Sequence, residues 1–107
     1  MLGGGGGGNW PPDINEIPCA TLKFTTQVSS PQLPAILSVQ VGDLLPVQIQ
    51  NLGSVQAVAI LKNNAVIGGL VGGKVNRLRS CLLQGALFAA KVLSANGAQV
   101  QVEVRHV

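Results

Sequence analysis

Apolar and polar residues alternate along several short stretches of the chain, which is the pattern of a half-buried β-strand. The alternation is clearest near the C-terminus, where Val100, Val102 and Val104 interleave with polar residues. Residues 55–61 differ, because they are apolar on both faces apart from Gln56, as in a strand that is well covered. The predicted strands are residues 20–28, 45–50, 55–61, 65–70, 86–93 and 99–105.

Two further stretches have apolar residues at the spacing of one helical face. They are residues 32–39, with Leu33, Ile36 and Leu37 facing inward, and residues 74–84, with Val75, Leu78 and Leu82 facing inward. Residues 86–93 also have a composition that suits a helix. Gly85 before them and the turn pair Asn96-Gly97 after them favour a strand instead.

Turn residues separate these elements. Asn63-Asn64 supplies the positive φ angles that a two-residue hairpin turn needs, so the third and fourth strands are expected to pair. The glycine pairs Gly68-Gly69 and Gly72-Gly73 are expected to break the fourth strand before the second helix.

The predicted element order is β-α-β-β-β-α-β-β, a mostly β domain of the α+β class with two short helices. Six short strands in so small a domain must curl and protect their edges, so we expect a six-stranded barrel. The domain is expected to span residues 19–107. Residues 1–18 are expected to form a flexible tail, because Gly3–Gly8 is an unbroken glycine run.

Trp10 lies in this tail, between the glycine run and Pro11-Pro12. A large aromatic side chain in that position is a candidate anchor that inserts into a groove of a partner. The alternative is that Trp10 folds back onto its own domain and covers an edge of the sheet. The sequence leaves both open.

The composition is apolar and weakly charged. Hydrophobic residues make up 47% of the chain and charged residues 10%, against about 25% charged residues in an average globular protein. Such a surface predicts self-association or a protein partner. Residues 19–107 carry seven basic and two acidic side chains, a net charge of +5, which favours anionic partners.

Cys19 and Cys81 are far apart and belong to no CxxC or Cys/His pattern. This predicts two buried free thiols, with neither a disulfide nor a zinc site. The N-terminus has no basic region followed by an apolar stretch, and no apolar run is long enough for a membrane helix. We therefore expect a cytoplasmic protein that does not bind the membrane.

The segment from Gly68 to Lys74 matches the phosphate-binding pattern GxxxxGK between a strand and a helix. Val75 stands where that pattern needs Ser or Thr to bind magnesium, and Glu103 is the only carboxylate that follows it. His106, the only histidine, has no motif that pairs it with a nucleophile. We expect a protein that is not an enzyme and that holds no cofactor or metal.

Lys74, Arg77 and Arg79 form the only basic cluster in the sequence. Together with Gly73 at the helix N-terminus they are candidates for binding an anion or a nucleic-acid backbone. The alternative is an ordinary solvated helix face. Single-strand binders usually add stacking aromatics, and the domain has only two aromatic residues, both predicted to face inward: Phe24 and Phe88.

From residue 41 onward, the order of turns, strands and helix is similar to that of a known domain family. It consists of Val41-Gly42-Asp43 before a strand, Ala57–Ile60 leading through Asn63-Asn64 to Val66-Ile67-Gly68, a helix ending in Leu83-Gln84-Gly85, and the strand 88–93. In these features residues 41–107 resemble the HIRAN domain, a small six-stranded barrel with two helices that binds the ends of single-stranded DNA. This chain has Gly69 where the family has an aromatic residue, so the resemblance implies the fold and not the binding residues.

Two functions from different classes follow. The first is a non-catalytic interaction or assembly module that docks on a protein partner or self-associates. The alternative is a HIRAN-like domain that binds single-stranded nucleic acid through the basic end of the second helix.

Overall fold

The computed structural model describes residues 17–107, and for Leu52 the backbone only. Six strands and one α-helix follow one another in this range. They are β1 (Lys23–Gln27), β2 (Leu44–Leu52), β3 (Val55–Lys62), β4 (Ala65–Leu70), α1 (Gly73–Leu83), β5 (Phe88–Asn96) and β6 (Gln99–His106). Two short 3-10 turns, Cys19–Thr21 and Ala35–Ser38, flank β1. The mostly β class and the six predicted strands are confirmed.

All strand pairs are antiparallel, in the order β1-β6-β5-β2-β3-β4. β2 changes its partner along its length: Leu44–Pro46 pairs with β5, and Val47–Leu52 pairs with β3. Strands that change partner in this way form the corners between packed sheet layers. The sheet is therefore bent at Pro46 into two halves.

The two outer strands, β1 and β4, do not pair with each other, and a few hydrogen bonds join β4 to the segment after β1. Ser29, which follows β1, forms an isolated bridge with Gly69 of β4, and both N···O distances in it are 2.8 Å. The N–H of Gln32 also donates to the Ile67 carbonyl at 2.9 Å. Pro31 and Pro34 have no N–H to continue a ladder. The sheet does not close, so the expected barrel is not supported.

The first predicted helix is wrong, because residues 35–38 form a 3-10 turn. Ile36 is fully buried, but Leu33 and Leu37 are 68% and 59% exposed. A proline disfavours helical geometry in the residue before it, so Pro34 prevents a helix from including Leu33. The remaining residues allow a single turn.

The second predicted helix is confirmed as α1. Val75 and Leu78 are buried as expected, while Leu82 is only half-buried and Cys81 is the third fully buried side chain. Gly85, with φ of 94°, follows the end of the helix and allows the N–H of Ala86 to return to the Cys81 carbonyl at 3.0 Å. This is the usual way in which glycine ends a helix.

β4 runs through Gly68 and Gly69, although both glycines were expected to break it. A Cβ on Gly68 would collide with Val28 Cγ1 and would lie 3.0 Å from the Ser29 carbonyl. Glycine is needed here because the segment after β1 packs directly against β4. The hairpin turn at Asn63-Asn64 is confirmed, with φ angles of 52° and 68°.

The core lies between the inner faces of the bent sheet and α1. Each strand contributes alternate side chains to it, as the alternation in the sequence predicts. The fully buried members include Ile36, Ile60, Ile67, Leu78, Val102 and Val104. The predicted inward positions of Phe24 and Phe88 are confirmed, since these side chains are 6% and 3% exposed.

Candidate functional site

The three basic residues of α1 do not come together in one site. Arg77 Nε donates to the Ile17 carbonyl at 2.9 Å, whereas Arg79 Nε donates to the Gln56 carbonyl at 3.1 Å. Residues two positions apart on a helix point about 200° apart. Ile17 and Gln56 therefore lie on opposite flanks of α1, each held by one arginine.

Lys74 and Gly73 are exposed in the first turn of α1. Because Gly68 and Gly69 belong to a paired strand, only Val71 and Gly72 remain as a loop between β4 and α1. Two residues are too few to surround a phosphate group as the longer phosphate-binding loop does. Of the four residues predicted to bind an anion, Gly73 and Lys74 lie together at the start of α1, whereas Arg77 and Arg79 each donate to a backbone carbonyl.

Cys19 and Cys81 form a disulfide bond, with 5.7 Å between their Cα atoms. The predicted free thiols are therefore wrong. The two cysteines are 62 positions apart, so no local pattern indicates the pairing and only the folded chain brings them together. The bond fixes the start of the domain to α1, and the contact between Arg77 and Ile17 extends this attachment toward the tail.

A cleft of about 380 Å³ lies on the outer face of β2, β3 and β4. Gln50 is paired with Ala57, and Gly69 with Ala59. Directly paired residues point to the same face of a sheet, and Val58 between the two alanines points into the core. Ala57, Ala59 and Gly69 therefore form a floor of small residues, and we call this cleft the β3 groove.

The β3 groove combines an apolar floor with polar groups at its sides. Gln32 and Gln50 are among its lining residues, and Val71, which is 66% exposed, lies at its edge. Val55 is 59% exposed and lies two residues before Ala57, so it extends the same apolar face. A small apolar floor with nearby amide groups suits a flat, largely apolar group that carries one hydrogen-bond donor.

Other large apolar side chains also face solvent in the described part of the chain. Ten such residues are at least 40% exposed, among them Leu83, Leu87 and Val107 near the end of α1. Val107 N–H donates to the Leu87 carbonyl at 2.9 Å, which places these two exposed side chains close together. Apolar side chains that gather at a surface are typical of a protein that binds a partner.

Three basic residues that the sequence analysis did not group share the outer face of β1, β6 and β5. Lys23 is paired with Arg105, and Lys91 is paired with Glu103. Arg105 Nη1 lies 3.9 Å from Glu103 Oε1, and Glu103 is the acidic residue on this face beside the three basic ones. The alternation within each strand predicts that these residues face outward, but the register that brings them together is visible only in the structure.

Asp43 and Lys62 form an ion pair that the sequence analysis missed. Lys62 Nζ lies 2.8 Å from Asp43 Oδ2 and donates to the Ser38 carbonyl at 2.6 Å. Gln40 N–H donates to the same carboxylate oxygen at 2.9 Å. The hydrogen bond from Lys62, and then the one from Gln40, lower the pKa of Asp43 below its usual value. Lys62 thus fastens the segment from Ser38 to Asp43, which leads into β2, to the end of β3.

His106 packs against Phe88 with perpendicular rings and 5.4 Å between their centroids. Among residues 17–107 no group of histidine, cysteine and acidic side chains is arranged to hold a metal ion. None of the helices in the same range is long and apolar enough to cross a membrane.

Trp10, the candidate partner-binding residue of the tail, lies outside the described residues.

Comparison with protein-family models, with curated proteins and with solved structures finds no match to this chain. The resemblance to the HIRAN domain therefore stays a prediction.

Proposed function

We propose that this chain is a non-catalytic interaction module that self-associates or docks on a protein partner, with Trp10 as its anchor. The observation that carries the proposal is the β3 groove, an apolar cleft on the outer face of the sheet. In a monomer this apolar surface stays in contact with water, whereas a partner that covers it removes apolar area from water.

The surface chemistry supports the same function. Charged residues are depleted at the centres of protein interfaces, and only 10% of this chain is charged. The ten exposed large apolar side chains of residues 17–107 add to the area that association would bury. The disulfide and Arg77 fix the chain at Cys19 and Ile17. The segment that carries Trp10 therefore starts from a defined point, and Trp10 is seven positions before Ile17.

Light scattering coupled to size exclusion tests the proposal on the full chain. The unmodified protein is expected to associate as its concentration rises, and Trp10→Ala is expected to weaken this association. Leu37→Ala is the control, because it removes an exposed apolar side chain outside the β3 groove. If the unmodified chain, Trp10→Ala and Leu37→Ala associate equally, Trp10 is not the anchor of this association.

Binding of single-stranded nucleic acid is the second candidate function, and the outer face with Lys23, Lys91 and Arg105 favours it. Contacts with phosphates make affinity fall steeply with salt. We expect the double substitution of Lys23 and Arg105 by alanine to weaken binding of a short labelled oligonucleotide more than Lys74→Ala with Arg77→Ala. Absence of binding at low salt would exclude this function.

We also infer an oxidising compartment for this chain. Disulfides persist mainly outside the reducing cytosol, and Cys19 and Cys81 are paired. This argues against the cytoplasmic location expected from the sequence. Intact mass measured after alkylation of the protein in its native host tests it, since paired cysteines take up no alkyl groups.

A further inference from the structure

We propose that the β3 groove of one copy of this chain receives Trp10 of a second copy. This inference rests on the proposed function and deepens it, because it names the surface that the anchor enters. It also makes the binding site a composite of two chains: one supplies the groove, and the other supplies the aromatic side chain.

The size and chemistry of the groove fit an indole ring. Its volume of about 380 Å³ is at the lower end of ligand-binding pockets, and the floor of Ala57, Ala59 and Gly69 leaves a flat surface. A Cβ on Gly69 would lie 3.2 Å from the Val58 carbonyl, so a larger residue at this position would be tight against β3. Gln32 and Gln50 offer amide oxygens that can accept the indole N–H.

The residues that follow Trp10 suit an anchor. Pro11-Pro12 favours an extended backbone that has little conformational entropy to lose on binding. The seven positions from Trp10 to Ile17 span up to about 23 Å when extended. This is enough to cross from one domain to the surface of a neighbour that packs against it.

The attachment of the tail favours a second copy over the groove of the same chain. Arg77 holds Ile17 on one flank of α1, and Arg79 holds Gln56 of β3 on the opposite flank. The groove runs along β3 from Ala57 to Ala59, next to Gln56 in the sequence. A tail that enters its own groove passes around α1, whose diameter with side chains is about 10 Å, and this path uses most of the roughly 23 Å that the tail can span.

Trp10 reports its own surroundings, because the chain has one tryptophan and no tyrosine. Its fluorescence emission is expected to move to shorter wavelength as the protein concentration rises, in step with the mass from light scattering. Emission of an exposed tryptophan at every concentration, in a protein that does associate, would overturn the proposal.

A variant that fills the groove provides the second measurement. Ala57→Gln adds bulk to the floor on the face away from the core, and Ala89→Gln adds the same bulk on the outer face of β5. We expect Ala57→Gln to raise the dissociation constant of self-association by at least about 30-fold, the effect of losing an interface hot spot. Ala89→Gln is expected to behave like the unmodified protein, and equal effects of the two changes would contradict the proposal.

Mixing two defective variants distinguishes insertion of Trp10 into the β3 groove of a second copy from insertion into the groove of its own chain. Trp10→Ala retains the groove and Ala57→Gln retains the tryptophan, so each alone is expected to associate only weakly, and Ala57→Gln is expected to show the emission of an exposed tryptophan. Their mixture is expected to form a one-to-one complex with emission at shorter wavelength. If Trp10 occupied the groove of its own chain, mixing would change nothing and the unmodified monomer would already show the shifted emission.

The same measurements distinguish failure of this inference from failure of the proposed function. If the unmodified chain associates and Ala57→Gln associates equally well, the interaction module stands and the groove is the wrong surface. If the unmodified chain is monomeric with an exposed tryptophan at every concentration, self-association and this inference both fail.

Discussion

At Asp43 a single carboxylate oxygen accepts hydrogen bonds from Lys62 Nζ and Gln40 N–H. These bonds lower the pKa of Asp43 in the folded chain, so the charged carboxylate stabilises the fold above its unfolded pKa of about 4. The stabilisation is lost as the pH falls through the lower folded value. We expect Asp43→Asn to reduce the urea midpoint at neutral pH, with a difference that shrinks in strong acid.

Glu103→Gln is the matched control for this experiment. Its ion pair with Arg105 is long, at 3.9 Å, and the arginine is 40% exposed, so it contributes little to stability. Urea midpoints of both variants measured across the acid range check the expectation. A constant difference between Asp43→Asn and the unmodified protein at all pH values would contradict the role given to this carboxylate.

Gly68 and Gly73 allow a direct comparison of two glycines from the same glycine-rich segment. A Cβ on Gly68 collides with Val28, whereas a Cβ on Gly73 meets no atom within 4 Å. We expect Gly68→Ala to lower the free energy of unfolding by about 1–3 kcal/mol, the usual cost of overpacking. Gly73→Ala is expected to be neutral or to stabilise α1 by up to about 1 kcal/mol.

Chemical denaturation of both glycine variants provides the measurement. If Gly68→Ala proved as stable as the unmodified protein, the segment after β1 would not pack closely against β4. Strong destabilisation by Gly73→Ala would likewise show that the first turn of α1 has no open space at this position.

At the scale of elements, the disulfide is the main connection between the start of the domain and α1. It closes a loop with a sequence separation of 62, for which removal is expected to cost about 2–4 kcal/mol of the free energy of unfolding. We expect the double variant with Cys19 and Cys81 both changed to serine to show this loss. The reductant dithiothreitol is expected to have the same effect on the unmodified chain and none on the variant.

Thiol titration of the denatured, non-reduced protein gives an independent measurement of the same bond. No free thiol is expected when Cys19 and Cys81 are paired. Two free thiols in protein purified without reductant would contradict the pairing. They would also remove the argument for an oxidising compartment.

For the molecule as a whole, the sequence predicted the parts of the fold that depend on neighbouring residues. The alternation of Val100, Val102 and Val104 defines one face of β6, and the turn at Asn63-Asn64 joins β3 to β4. Pairing between distant segments was not predictable in this way. The bridge between Ser29 and Gly69 and the change of partner within β2 depend on how the sheet bends.

The candidate site was less predictable than the fold, for the same reason. Both faces of β3 are apolar, so the sequence does not reveal that Ala57 and Ala59 form an outer groove while Val58 packs inside. The sequence places Arg77 and Arg79 in one basic cluster, but in the structure each donates to a backbone carbonyl on a different flank of α1. These contacts depend on where Ile17 and Gln56 lie in the folded chain, which the spacing of residues in α1 does not show.

We propose that this chain functions by association through an apolar surface and Trp10. The most direct measurement is the mass of the unmodified, full-length protein by light scattering over a wide concentration range. We expect a mass that rises above the monomer value of 11.0 kDa as the concentration increases and that returns toward this value for Trp10→Ala. A mass of 11.0 kDa at every concentration, for both proteins, would contradict self-association as the function of this chain.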